Sequence, residues 1–99
     1  MNSMKVSIII PVYNEEKTIL KIIKKILKLR YINKELIVVN DGSTDNTKRL
    51  LSTFSNKRIR IINHNKNSGK GAAIRTAQKH ITGTHVIIQD ADLEYEPTD

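Results

Sequence analysis

Leu36-Ile37-Val38-Val39-Asn40-Asp41-Gly42-Ser43 is the stretch that decides the fold. Four apolar residues, three of them β-branched, run without a polar break, as in a strand buried on both faces. The run stops abruptly in a cluster of turn-forming residues. Upstream, Ile19, Ile22, Ile23, Ile26 and Leu27 recur at helical spacing with lysines between them. Glu15 and Glu16 are expected in the first turn of that helix, where carboxylates suit the positive end of the dipole. Before it, Val6-Ser7-Ile8-Ile9-Ile10 repeats the buried-strand pattern.

Downstream the alternation continues. Leu50, Leu51 and Phe54 mark a second helix, and Ile59, Ile61 and Ile62 a third strand. Arg58 and Arg60 alternate with those isoleucines, which predicts one wet face or edge. Asn67-Ser68-Gly69 then opens a small-residue helix over 72–80, with Ser68 as the expected N-cap and Gly83 ending it. Val86-Ile87-Ile88 is the fourth strand, running into Asp90-Ala91-Asp92. The order β-α-β-α-β-α-β predicts an α/β fold, a parallel sheet with helices on both faces. The 99 residues read as one domain or part of one, without repeats, linkers or low-complexity segments.

Composition narrows the function classes. The chain has no cysteine, which excludes disulfides and thiolate metal sites and fits a reducing, cytoplasmic setting. No apolar stretch approaches the roughly 20 residues of a membrane span, and the first residues lack a signal-peptide layout. The net charge of +7 raises nucleic acid as a partner. Yet Lys17, Lys21, Lys24, Lys25 and Lys28 share one helical segment, the usual pattern of a solvated face. Tyr13, Tyr31, Tyr95 and Phe54 are too scattered for base stacking along a strand. The reading is therefore no nucleic acid. A basic surface against the anionic cytoplasmic face of a membrane stays open.

In open α/β sheets ligands bind beyond the carboxyl ends of the strands. Three of the four strands here end in polar clusters: Pro11 to Glu15, Asn40 to Asp45, and Gln89 to Asp92. Asp90 and Asp92, at i and i+2 on an extended segment, point the same way and would repel unless a hard divalent cation relieved them. The alternative is a loop of turn-forming aspartates. Asp41 could accept from a nucleobase N–H, or form an Asx turn while Ser43, Thr44 or Asp45 caps the next helix. Tyr13 could stack on a base or pack on the sheet rim. Gly69-Lys70-Gly71 fails the Walker pattern, which needs glycine where His64 stands. It also fails the dinucleotide fingerprint, which needs Gly or Ala at Ile74. What remains is a lysine at a helix start that can approach a diphosphate, or merely an exposed one. His64, His80 and His85 have no metal-ligand spacing and read as surface histidines.

Taken together, 8–15, 39–45, 67–73 and 89–93 closely resemble, in order and spacing, the family 2 glycosyltransferases. The Gly-Lys-Gly helix with Asp-Ala-Asp-Leu is most similar to the dolichol-phosphate mannosyltransferase and polyprenyl-phosphate glycosyltransferase branch. The resemblance implies a GT-A (Rossmann-like) fold, with 1–99 as the N-terminal nucleotide-sugar-binding part of a catalytic domain, truncated after the fourth strand. It implies a GDP- or UDP-hexose donor, Mg²⁺ or Mn²⁺, inversion at the anomeric carbon, and a polyprenyl or dolichyl phosphate acceptor. A polysaccharide or protein-glycan acceptor, or a nucleotide-binding piece without activity, are the alternatives. Pro11, Tyr13 and Glu15 match nucleoside-pocket positions and Asp41 the base-reading carboxylate. Asp90 and Asp92 match the pair that holds metal and diphosphate, Glu94 matches a further metal-side position, and Lys70 a diphosphate contact. Asn40 stands where many relatives have a second aspartate. The general base is expected beyond Asp99, transfer by this chain alone is not expected, and self-association through uncovered apolar surface is, together with a loosened tail from Leu93.

Overall fold

The computed structural model describes residues 4–30 and 32–92. The expectations for Glu94 and for the tail from Leu93 lie outside these residues. The element order is β1 (Val6–Val12), α1 (Ile19–Leu27), β2 (Lys34–Asn40), α2 (Thr47–Leu51), β3 (Ile59–Asn63), α3 (Lys70–Gln78) and β4 (His85–Ile88). All four strands are parallel, in the order β3-β2-β1-β4. This is the α/β architecture expected.

Period-two alternation sorts the strand residues onto two cores. Ile8, Ile10, Val12, Leu36 and Val38 face one side, where Ile19, Ile22 and Ile23 of α1 and Leu51 of α2 cover them. Ile9, Ile37 and Val39 face the other, under Ala73 and Ala77 of α3. An alanine at every fourth position gives α3 a flat stripe, so its backbone lies close on the two central strands. Each isoleucine taken fully from water contributes about 1.5–3 kcal/mol, and eight of the buried residues in these two layers are isoleucine, leucine or valine of β1 and β2 alone, so the central pair carries most of the packing. Pro11 lies within β1, a central strand. Ile9 accepts Gln89 N–H on the β4 side, and Pro11 two residues on faces the same way, past the end of β4 at Ile88. Its missing donor therefore breaks no ladder bond.

Four local expectations are corrected. Glu15 and Glu16 precede α1 and are not in its first turn. The Glu15 backbone carbonyl accepts from Thr18 and Ile19 N–H, and the Glu16 carboxylate accepts from Asn46 N–H. The third helix begins at Lys70, earlier than Ala72, and ends at Gln78 with Lys79 as C-cap, short of Gly83. Its N-cap is Gly69, not Ser68, whose hydroxyl turns back to donate to the Lys66 carbonyl. The wet edge predicted from Arg58 and Arg60 is real: β3 is one edge of the sheet. The other edge is β4, where Val86, Ile87 and Ile88 are 48–51% exposed.

At the amino ends of the strands, Glu35 organises the closure of the sheet. Its carboxylate accepts from the hydroxyl of buried Ser7 (2.6 Å), from Thr82 N–H (2.8 Å) and from the Thr82 hydroxyl (2.9 Å). Burial works to raise the Glu35 pKa, but these donors and Lys5 outweigh it and hold the carboxyl below its usual 4.5. Its stabilising effect is complete above pH 4.5 and is lost as pH falls through the lower folded value. Glu35→Ala is expected to reduce the unfolding free energy by about 1–3 kcal/mol at pH 7. Urea titrations at pH 7 and pH 3 check this: the difference between wild type and variant should shrink at the lower pH.

Candidate functional site

Strand order reverses direction beside β1: the chain steps from β1 to β2 to β3 on one side, then returns to place β4 on the other. That is the switch point at which α/β sheets open a crevice beyond their carboxyl ends. The loops after β1 and β4 meet there. The Thr18 hydroxyl donates to the Ala91 carbonyl at 2.7 Å, and Ala91 is buried, so the bend between Asp90 and Asp92 is tied to the segment that enters α1. Asp90 is exposed and Asp92 half-buried.

The loop after β1 is held by Asn14, whose φ of 52° is the one left-handed value among described non-glycine residues. Asparagine tolerates that region because its side chain bonds nearby backbone. Here the Asn14 carbonyl oxygen accepts from Thr44 N–H (2.8 Å) and Asp45 N–H (3.3 Å), and its backbone N–H donates to the Ser43 hydroxyl (2.9 Å). Asp45 completes the join, accepting from Thr47 N–H at the start of α2 and from Glu16 N–H. The N-cap of α2 is Asn46 and not Ser43, Thr44 or Asp45 as expected, although the Asp45 carboxylate does accept from Thr47 N–H. Tyr13 is 42% exposed. Glu15 is half-buried, and its N–H donates to the Thr47 hydroxyl.

Register explains the centre of the site. Asn40 pairs with Asn63 across β2 and β3, so the next residues, Asp41 and His64, leave their strands side by side. The buried Asn40 amide donates to the Asn63 side-chain oxygen (2.9 Å) and accepts from Ser43 N–H (3.2 Å).

Asp41, only 4% exposed, accepts three hydrogen bonds. His64 Nδ1 (2.8 Å) and Ser68 N–H (2.9 Å) reach Oδ1, and Gly69 N–H (2.8 Å) reaches Oδ2. A carboxylate has about four acceptor sites, so one on Oδ2 is left. Two glycines make this geometry accessible. Gly42, at φ 73°, lies so close to the 66–67 backbone that a β-carbon would sit 2.4 Å from it. Gly69, at φ 100° and ψ 158°, occupies a region reserved for glycine and turns its N–H onto Asp41.

His64 corrects the surface-histidine reading. It is largely buried, and Nε2 lies 2.8 Å from the Thr76 hydroxyl of α3. A signal was available: His64 directly follows a strand, on the same rim as the other polar clusters. Asn14 was likewise passed over, although it sits inside the first of those clusters. Lys70, the first residue of α3, reaches Asp90 at 2.9 Å, with both side chains exposed (60% and 67%). The structure thus brings Lys70, Asp90, Asp92, Glu15 and Tyr13 to one rim with Asp41 beneath, while Pro11 lies half-buried in the β1 end. Among the described residues no three His, Cys, Asp or Glu are placed to hold a metal ion. The local donor set is the Asp90 and Asp92 carboxylates.

Residues 7–99 match the model of Glycosyl transferase family 2. The chain belongs to that family. It is 39% identical over 92 residues to the UDP-Glc:alpha-D-GlcNAc-diphosphoundecaprenol beta-1,3-glucosyltransferase of Escherichia coli, covering 93% of this chain and 36% of that protein. It is 35% identical over 100 residues to a dolichyl-phosphate beta-glucosyltransferase of Trichomonas vaginalis, covering 91% and 31%. The solved mannosyltransferase of Pyrobaculum calidifontis, in complex with GDP-Man and Mn²⁺, superposes with a TM-score of 0.80 at 32% identity, covering 92% of this chain and 28% of that one. The fold is that of the GT-A transferases, and the chain spans about a third of the length of the curated relatives named here.

Burial works to raise the Asp41 pKa, but His64 and the two backbone donors outweigh it and hold the carboxyl below its usual 3.8. Its contribution to stability is complete above pH 3.8 and is lost as pH falls through the lower folded value. Asp41→Asn sets a donor or a weaker acceptor against N–H groups and is expected to destabilise the fold by about 1–3 kcal/mol at pH 7. Thermal unfolding from pH 7 to pH 2 checks this. The variant should lose less stability than wild type below pH 4.

Proposed function

We propose that this chain forms the donor-binding part of an inverting hexosyltransferase that moves a sugar from a nucleoside diphosphate to a polyprenyl or dolichyl phosphate. The observation that carries the reading is the contact of Lys70 with Asp90 at the switch-point crevice of a family 2 transferase domain, beside an Ala91 that Thr18 anchors between Asp90 and Asp92. The base sits on the Tyr13 ring, with Pro11 and Glu15 lining the nucleoside pocket. The remaining Oδ2 acceptor of Asp41 receives a base N–H.

Asp90 and Asp92 fit a divalent cation of the Mg²⁺ or Mn²⁺ type, which takes a few carboxylates plus substrate phosphates and water. Glu94 joins them in this reading. Such a cation supplies charge stabilisation for the departing diphosphate. The exposed Lys70–Asp90 pair is worth at most about 1 kcal/mol, so it separates at little cost, leaving Lys70 for phosphate oxygens and Asp90 for the cation. The acceptor oxygen bonds to the anomeric carbon as the sugar–diphosphate bond breaks, and configuration inverts. A lipid phosphate oxygen needs no base to lose its proton first. No described residue is assigned that role.

The names of the relatives support a lipid-borne acceptor, and they differ over its chemistry. The E. coli name specifies a sugar on an undecaprenyl diphosphate, which favours a sugar hydroxyl as a second reading. The names also cite both UDP- and GDP-linked donors. We place the site of action at the cytoplasmic face of a membrane. The exposed apolar β4 edge supports self-association of the chain, since uncovered edges recruit other strands.

Asp90→Asn combined with Asp92→Asn is expected to abolish metal-dependent nucleotide binding while leaving the urea midpoint within experimental error. Titration calorimetry with UDP and GDP, each with Mn²⁺, Mg²⁺ or neither, checks it. Unchanged metal dependence in the double variant contradicts the assignment.

A further inference from the structure

Four contacts run in series across the carboxyl rim. Thr76 on α3 meets His64 Nε2, His64 Nδ1 meets Asp41, Asp41 meets the Ser68 and Gly69 N–H groups, and the next residue, Lys70, meets Asp90. The series starts on α3, crosses the ends of β3 and β2, and returns to the first residue of α3. It closes a ring around the loop 64–69. Apart from the ring, the loop is tied back at its start, where His64 N–H donates to the Asn40 carbonyl; residues 65–69 are exposed, and their other side-chain bonds are short-range.

The chemistry of the ring fixes its direction. Asp41 is held ionised, so Nδ1 carries the hydrogen and donates to Oδ1. In the neutral imidazole Nε2 then accepts from the Thr76 hydroxyl, and in the cation it donates to the same oxygen, because a hydroxyl serves either way. The histidine keeps both partners in either protonation state.

We infer that His64 is a positioning residue for the donor site. By orienting Asp41 it clamps the Ser68 and Gly69 amides, and so sets where Lys70 emerges toward Asp90 and toward the diphosphate. The inference rests on the proposed function for its ligand and stands apart from it for its geometry.

The test compares His64→Leu with His64→Asn. Leucine keeps volume and removes both bonds, while the asparagine amide nitrogen superposes on Nδ1 and keeps the donor to Asp41. Calorimetry of UDP with Mn²⁺ should show about tenfold weaker binding for His64→Leu and a value within about threefold of wild type for His64→Asn. The ¹H–¹⁵N spectrum of each chain without nucleotide is read alongside. Ser68 and Gly69 amide protons, shifted downfield by the carboxylate, should move upfield in His64→Leu and stay in place in His64→Asn. Equal weakening by both variants, or unmoved amides in His64→Leu, overturns the inference. If wild type binds neither UDP nor GDP with Mn²⁺, the nucleotide reading fails, and the amide shifts alone still decide whether His64 sets the loop.

Discussion

A single buried carboxylate organises the working end of this sheet. Removing an ion from water is unfavourable by several kcal/mol unless its lone pairs are filled. Asp41 fills three of its four from protein donors. Each donor belongs to the β3–α3 connection, so satisfying the charge dictates the path of that connection. Gly42 must lack a side chain to let the loop approach, and Gly69 must lack one to turn its amide inward. The start of α3, and with it Lys70, follows from these demands.

The sheet supplies the rest of the arrangement. Burying both faces of β1 and β2 leaves polar groups nowhere to go except the strand ends, and parallel strands send those ends to one side. Asn14 then ties the first loop to the second, and Thr18 ties the fourth to the entry of α1. The outcome is a rim that is rigid below and polar above. Positive and negative groups face each other across it at Lys70 and Asp90, a pairing that suits a ligand made of phosphates and a cation.

Much of this was legible in the residues. Unbroken runs such as Leu36 to Val39 gave away the central strands, and helical spacing from Ile19 to Leu27 gave away α1. The rim clusters were visible because turn residues follow apolar runs so sharply. Helix starts were not legible, since tertiary bonds set them: Ser68 has the chemistry of an N-cap, but Asp41 holds the Ser68 and Gly69 amides and α3 starts only after Gly69. His64 was misread for the same reason. Its partners lie 23 residues back and 12 ahead, and only the Asn40–Asn63 register brings Asp41 beside it. Asp41 was weighed as a base reader or a turn former, whereas its three donors make it first the anchor of a distant loop.

Paramagnetic broadening by Mn²⁺ in the presence of UDP tests the central claim most directly. In a ¹H–¹⁵N spectrum of the chain, amides of Gln89 to Asp92, of Lys70 and Gly71, and of Tyr13 to Glu15 should broaden first, at substoichiometric metal. Those at the opposite end of the sheet, around Glu35 and Thr82, should stay sharp. Broadening centred on Glu35, or spread evenly over the exposed carboxylates, would contradict a donor site at the carboxyl rim.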